Sequence, residues 1–263
     1  MTVNSYLVNL ASSLVLKDTE KDSINNSIST LERRIDSYFD NRVIEQNRFG
    51  SSTRRTILPR KADENSDIDY MIVFNTSETE YKPQTYLNYL KEFAEHFYSS
   101  SEIHQSHPTI VLELNHIKFD LVPAKKDCFS RYQIPSPSNY LFDWIDTDPW
   151  GYDQELIRRN EQHNYLIKPL IRLIKYWNSL NSHCFISFEL EKFTANRTYL
   201  YINTLAEYFY EFWNSFSVLS SWSQTTQGKV NRAKNKASKI KQLESNGEYQ
   251  TAESEIQEFL AEI

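Results

Sequence analysis

Residues 49–74 read FGSSTRRTILPRKADENSDIDYMIVF, and they decide the fold. A candidate strand, Val43 to Phe49, runs into Gly50-Ser51 at what reads as a helix start. The chain uses glycine only four times, at Gly50, Gly151, Gly228 and Gly247. A residue spent that sparingly marks places where a side chain cannot be tolerated. At position 50 a glycine lets backbone N–H groups close on phosphate. Ser51 adds a hydroxyl donor, and a helix dipole favours the anion. The plain alternative is an ordinary Gly-Ser turn.

At the other end of this stretch, residues 68–74 (IDYMIVF) are β-branched and aromatic and predict a buried strand. Alternation along it puts Asp67 and Asp69 on one face while Ile68 faces the core. Two carboxylates side by side repel each other unless cations sit between them. Hard oxygen ligands at that spacing suit Mg²⁺ or Mn²⁺. A lone D-x-D also occurs at solvated strand ends, so the motif needs company.

The company comes from residues 117–124 (IKFDLVPA), where Asp120 sits in an apolar strand between Phe119 and Leu121. A buried carboxylate is costly unless it is paired. A metal would serve, and so would Lys118 or a nearby arginine.

Around these three pieces the N-terminal half predicts a mixed set of elements. Residues 3–16 read as a short helix. Asp18 reads as the N-cap of a long amphipathic helix, with Ile24, Ile28, Leu31, Ile35 and Tyr38/Phe39 on one stripe. Pro83 opens another helix to about Tyr98. Residues 109–114 and 116–122 flank Asn115 as a hairpin whose second strand ends at Pro123. Residues 125–150, with Pro135, Pro137 and Pro149 among polar and aromatic residues, predict an irregular crossing segment. Beyond it the chain reads as wholly helical. Leu166, Leu170, Leu173, Ile174 and Trp177 form one stripe, residues 199–213 a second helix, and two final helices bracket Gly247. The expected architecture is α+β: an α/β half with a small mixed sheet over residues 1–125, packed against a helical half over 126–263.

Composition excludes several classes. At 263 residues, 40% apolar and 24% charged, the chain is in the globular range. The net charge of −6 gives no bulk attraction to nucleic acid or anionic membrane. No apolar run approaches the roughly 18 residues of a membrane span, and residues 1–20 carry no signal-peptide pattern. Cys128 and Cys184 are too few for a disulfide framework and read as free thiols, which implies a cytoplasmic protein. His104, His107, His116 and His183 have no cysteine pair, so zinc has little support. Six Lys/Arg without an acid at 229–241 read first as a solvated helix face, although a nucleic-acid role stays open. Arg158 and His163 have the R-x4-H spacing of some ribonucleases, a pattern of common residues that recurs by chance.

Gly-Ser on a helix start, D-x-D on the next strand and a third Asp on a later strand resemble the nucleotidyltransferase superfamily of the DNA-polymerase-β type. The 15 residues between Ser51 and Asp67 make that loop slightly long, with Lys61–Asn65 as a small insertion. Residues 166–178 (LIKPLIRLIKYWN) followed by Ser187-Phe188-Glu189-Leu190-Glu191 narrow the likeness. They resemble the cyclic GMP–AMP synthase and oligoadenylate synthetase group, most of all the bacterial CD-NTases of antiphage signalling.

The resemblance implies a template-independent enzyme that releases pyrophosphate from an NTP or dNTP and makes a small nucleotide second messenger. It implies Asp67, Asp69 and Asp120 as catalytic ligands of two Mg²⁺ ions, with Mn²⁺ an alternative. Gly50, Ser51, Lys175 and Ser187 would bind the donor triphosphate. Lys175 could instead be an exposed lysine beside the stripe, and Ser187 could cap a helix. A downstream effector responding to the product is the implied partner; membrane is not, and a nucleic-acid substrate stays open. Linear or protein-primed oligonucleotides, nucleotide transfer to RNA or protein, and an inactive nucleotide-binding module are the competing functions.

Overall fold

The computed structural model describes residues 2–138 and 143–263. Residues 139–142 of the expected crossing segment lie outside the described residues. The chain divides into two compact units, one of residues 16–60 and 65–154, the other of residues 1–15, 61–64 and 155–263.

After α1 (Val3–Ser13), which belongs to the second unit, the first unit begins with α2 (Asp18–Phe39) and β1 (Val43–Phe49). Then come α3 (Ser51–Arg54), β2 (Asp67–Phe74), α4 (Pro83–Phe97), β3 (Glu102–Ser106) and β4 (Thr109–Glu113). β5 (Lys118–Lys126), β6 (Tyr132–Pro135) and β7 (Trp144–Thr147) complete it. The strands run in the order β1-β2-β5-β4-β3, with β6 on the far end of β5 and β7 on β6. Among the described residues only β2 and β5 pair in parallel; the other pairs are antiparallel, so the sheet is mixed.

One face of the sheet carries the core. Ile68, Tyr70, Ile72 and Phe74 of β2, with Phe119 and Leu121 of β5, pack against Leu31, Ile35 and Phe39 of α2 and Leu87, Leu90 and Phe93 of α4. Each buried aliphatic or aromatic side chain contributes about 1.5–3 kcal/mol, and Leu90→Ala would cost about 2–5 kcal/mol. The long-helix stripe is buried as its spacing predicts, although the N-cap is Lys17 rather than Asp18. Strand alternation sends the odd residues of β2 and the even residues of β5 to the opposite face. There Met71, Val73 and Ala124 form a smaller apolar patch with Phe49, Tyr132 and Trp150 beside it.

Three features differ from the sequence reading. β3 is polar and alternately exposed, so it carries no apolar signal. β5 runs past Pro123, which is compatible with a strand because β4 pairs only as far as Leu121 and leaves that edge open. Residues 132–135 and 144–147 of the expected irregular segment form β6 and β7, which continue the sheet. The first compact unit extends to residue 154.

The second unit comprises α1, α5 (Gly151–Gln162, which spans the unit boundary), α6 (Ile167–Leu180), α7 (Ser187–Asn196), α8 (Leu205–Ser215), α9 (Gln224–Ser245) and α10 (Tyr249–Phe259). α1 joins it, rather than the first half, because Val3, Tyr6, Leu7 and Leu10 are buried there; the Tyr6 hydroxyl donates to the Leu260 carbonyl. α8 starts at Leu205 instead of 199 because Thr204 and Glu207 form a capping box. Much of the aromatic content is spent here on packing: Trp177 meets Trp213 edge-on at 4.7 Å, and Phe212 stacks on Phe216 at 5.1 Å. Among the described residues no helix is long and apolar enough to cross a membrane.

Candidate active site

The face of the sheet opposite α2 and α4 carries the carboxylates. Asp69 of β2 is the direct register partner of Asp120 of β5, and Asp67 is the partner of Lys118. Because the pair is parallel and in register, all four side chains leave from one face in two adjacent rows. Antiparallel strand β1 adds the third wall, with Phe49 opposite Asp69.

Gly50 follows immediately, at φ +76 and ψ −152, a backbone region closed to residues with a Cβ. A Cβ there would lie 1.8 Å from Asp69 Oδ2. Glycine is thus required twice, by its dihedrals and by the carboxylate against it. Ser51 opens α3, a four-residue helix capped by Arg55 at φ +61. A helix this short has no macrodipole worth the name, so the dipole argument of the sequence reading falls away. What the loop offers is backbone N–H groups and the Ser51 hydroxyl.

The loop is braced from behind. Arg54, 8% exposed, donates from Nη1 to Asp153 Oδ1 at 3.3 Å and lies over the Tyr152 ring at 5.5 Å. Thr53 Oγ1 is within hydrogen-bond distance of Asp153 Oδ2 and of the Gly50 carbonyl. Sequence reading missed Asp153, since nothing local links it to position 53.

Electrostatically the face is poised. Burial, and next the negative charge of Asp67, push the Asp120 carboxyl up to about 6, with Lys118 opposing. Asp120 Oδ1 is buried and has no hydrogen-bond partner. Lys118 Nζ lies 3.5 Å from Asp67 Oδ2, so the lysine expected as a possible partner of Asp120 is instead on Asp67. Among the described residues no three His, Cys, Asp or Glu side chains close on a common point as a ready metal cluster. The donor set still fits a hard divalent cation: three carboxylates on one face, one with an unsatisfied buried oxygen.

The other two candidates belong to the second unit. Lys175 is 7% exposed on α6, not displayed on the surface. Ser187 is the first residue of α7, and Ile186 is the N-cap, so Ser187 is not the cap. The structure thus brings Gly50, Ser51, Asp67, Asp69 and Asp120 to one sheet face and seats Lys175 and Ser187 at successive helices of the helical unit.

The remaining sequence features take structural roles. Lys236 and Lys239 pair with Glu255, Lys229 donates to the Asn181 carbonyl, and Lys234 to the Phe216 carbonyl. The basic run is largely consumed in holding α9. His163 shares a hydrogen bond with the Tyr208 hydroxyl at 2.9 Å, and burial lowers its pKa. That is a packed histidine, not half of a nuclease pair.

A mixed sheet with a glycine-serine loop abutting D-x-D and a third aspartate in register defines a nucleotidyltransferase fold of the polymerase-β type. Comparison with known proteins gives the same class. The model of the Second Messenger Oligonucleotide or Dinucleotide Synthetase domain (SMODS) matches residues 1–160, and the chain belongs to that family. A probable cyclic nucleotide synthase of Bacillus cereus (strain VD146) is 29% identical over 180 residues, 54% of this chain and 52% of that one. The chain therefore spans about half the length of that curated relative. Two solved structures share the fold: the Vibrio cholerae di-nucleotide cyclase DncV with GTP, at TM-score 0.77 and 11% identity over 99% of this chain and 96% of that one; and CdnC of E. coli MS115-1 with ATP, at TM-score 0.68 and 15% identity over 98% and 97%.

Proposed function

We propose that this chain transfers a nucleoside monophosphate from an NTP to a nucleotide hydroxyl without a template, building a small nucleotide second messenger. The observation that carries the reading is the paired row of Asp69 and Asp120 with Asp67 beside them, Asp120 keeping a buried oxygen unsatisfied. A structural role would satisfy that oxygen; a ligand role leaves it available.

In the reaction the acceptor hydroxyl oxygen bonds to the α-phosphorus, the bond from that phosphorus to the β-phosphate oxygen breaks with pyrophosphate leaving, and the hydroxyl proton passes to solvent. Asp67, Asp69 and Asp120 would hold two divalent cations, Mg²⁺ or Mn²⁺, which would supply charge neutralisation for the triphosphate and acidity at the attacking hydroxyl. Gly50 keeps Cβ bulk away from Asp69, and the Ser51 hydroxyl and neighbouring N–H groups donate to phosphate oxygens. Arg54 and Asp153 keep that loop rigid, so positioning is established before substrate arrives. Lys175 and Ser187 add donors to the triphosphate.

The family description names oligonucleotide and dinucleotide messengers, which favours a second messenger over transfer to RNA or protein. The consumed basic run supports that preference. An antiphage role, a cytoplasmic setting with reduced Cys128 and Cys184, and an effector that responds to the product complete the reading. The test is the end chemistry of the product formed from labelled NTPs with Mg²⁺. A phosphatase-resistant product without a 5′ triphosphate supports a cyclic messenger, and a phosphatase-sensitive ladder a linear one. Label that stays with denatured polypeptide would refute the messenger reading.

A further inference from the structure

Four carboxylates of the catalytic face, Glu113, Asp67, Asp69 and Asp120, stand in two adjacent rows around Lys118. In one row Glu113 of β4, Lys118 of β5 and Asp67 of β2 are successive register partners. In the next row Asp120 and Asp69 lie side by side. Lys118 thus stands between two carboxylates in its own row and two residues from a third. Its Nζ is 3.5 Å from Asp67 Oδ2, and its side chain is 19% exposed against 31% for Asp67. On its other side Glu113 is occupied by Arg60, whose Nη2 donates to Glu113 Oε1 at 2.8 Å. Arg60 thereby takes up the Glu113 carboxylate, while the Lys118 ammonium lies on Asp67. Arg60 also lowers the Glu113 pKa, with Lys118 contributing.

We propose that Lys118 is a built-in counter-cation: it occupies the cation's electrostatic place at Asp67 while the site is metal-free, and must yield Asp67 when a divalent ion enters. The inference rests on the metal-site reading of Asp67, Asp69 and Asp120. Three carboxylates on two adjacent strands repel one another, and a cross-strand lysine in register with one of them is the least costly internal neutralisation. The same charge opposes an arriving cation, both by competing for the Asp67 oxygen and by lowering the negative potential of the face. Lys118 is therefore a positioning residue that trades metal affinity for a stable metal-free fold.

The experiment compares full-length wild type with Lys118→Met, which keeps the aliphatic stem, and Lys118→Arg, which keeps the charge. Mn²⁺ affinity is read by electron paramagnetic resonance of free Mn²⁺ and by calorimetry, without nucleotide. Thermal midpoints are read in chelator. Lys118→Met should bind Mn²⁺ about five- to tenfold more tightly, melt lower in chelator and recover most of that loss with Mn²⁺; Lys118→Arg should restore both values. Unchanged or weaker Mn²⁺ binding by a folded Lys118→Met overturns the counter-cation role. Wild type that binds Mn²⁺ no better than an Asp67→Asn/Asp120→Asn double variant overturns the metal-site reading itself, and with it this inference.

Discussion

Replacing Asp120 with asparagine separates a ligand from a structural residue most cleanly, because the two roles predict opposite signs of stability. The carboxyl of Asp120 is raised from 3.8 to about 6 by burial and by Asp67. Below pH 3.8 the residue is protonated in both folded and unfolded chains and contributes nothing. Between 3.8 and about 6 the folded state holds a proton that the unfolded state has released, so stability falls as pH rises. Above about 6 the folded protein carries the whole cost of an ionised carboxylate there. At about 1.4 kcal/mol per pH unit the upper bound is roughly 3 kcal/mol, and partial access to water brings the expectation to about 1–3 kcal/mol. Asparagine is nearly isosteric and never ionises. Asp120→Asn should therefore melt above wild type at pH 7.5 in chelator by roughly 3–10 °C, with the gain vanishing toward pH 4. Mg²⁺ with a non-hydrolysable NTP analogue should raise the wild-type midpoint and leave the variant almost unmoved. Calorimetric scans from pH 4 to 8 in both buffers are the assay. A variant less stable than wild type at every pH would mean that Asp120 is held by partners in the fold, and the ligand role would be refuted.

Other substitutions probe the surrounding parts. Gly50→Ala places a Cβ against Asp69 at a φ of +76, so it should abolish turnover and lower stability by about 1–3 kcal/mol, measured by denaturant unfolding. Asp153→Ala removes the brace on Thr53 and Arg54; faster proteolysis or amide exchange across residues 50–56 with a lowered kcat would show it, while unchanged exchange would deny it. Lys175→Ala should raise the KM for NTP about tenfold or more with a smaller change in kcat, since uniform triphosphate binding is what it removes.

The parts of this site legible in the sequence are those fixed by short-range periodicity. Alternation alone puts Asp67 and Asp69 on one face and Ile68 on the other, and it isolates Asp120 between Phe119 and Leu121. A glycine before a serine after a strand is equally local. What alternation cannot supply is which strands become neighbours. The parallel pairing of β2 with β5 brings Asp69 beside Asp120 and moves Lys118 from the expected Asp120 to Asp67. Strands β3, β6 and β7 are hidden because they are only four or five residues long with no sustained apolar alternation, and pairing rather than apolar periodicity holds them. Asp153 was out of reach because it bonds to a loop about a hundred positions away.

The central claim is that the three aspartates bind the cations of a nucleotidyl transfer, and one paired measurement addresses it directly. Wild type and Asp69→Asn are incubated with NTPs and Mg²⁺ while pyrophosphate release is followed, and both proteins are melted in chelator. Wild type should release pyrophosphate in step with nucleotide product. Asp69→Asn should release none, and its midpoint should equal or exceed that of wild type, because a like charge beside Asp67 and Asp120 has been removed. Retained pyrophosphate release together with a large loss of stability in Asp69→Asn would contradict the account.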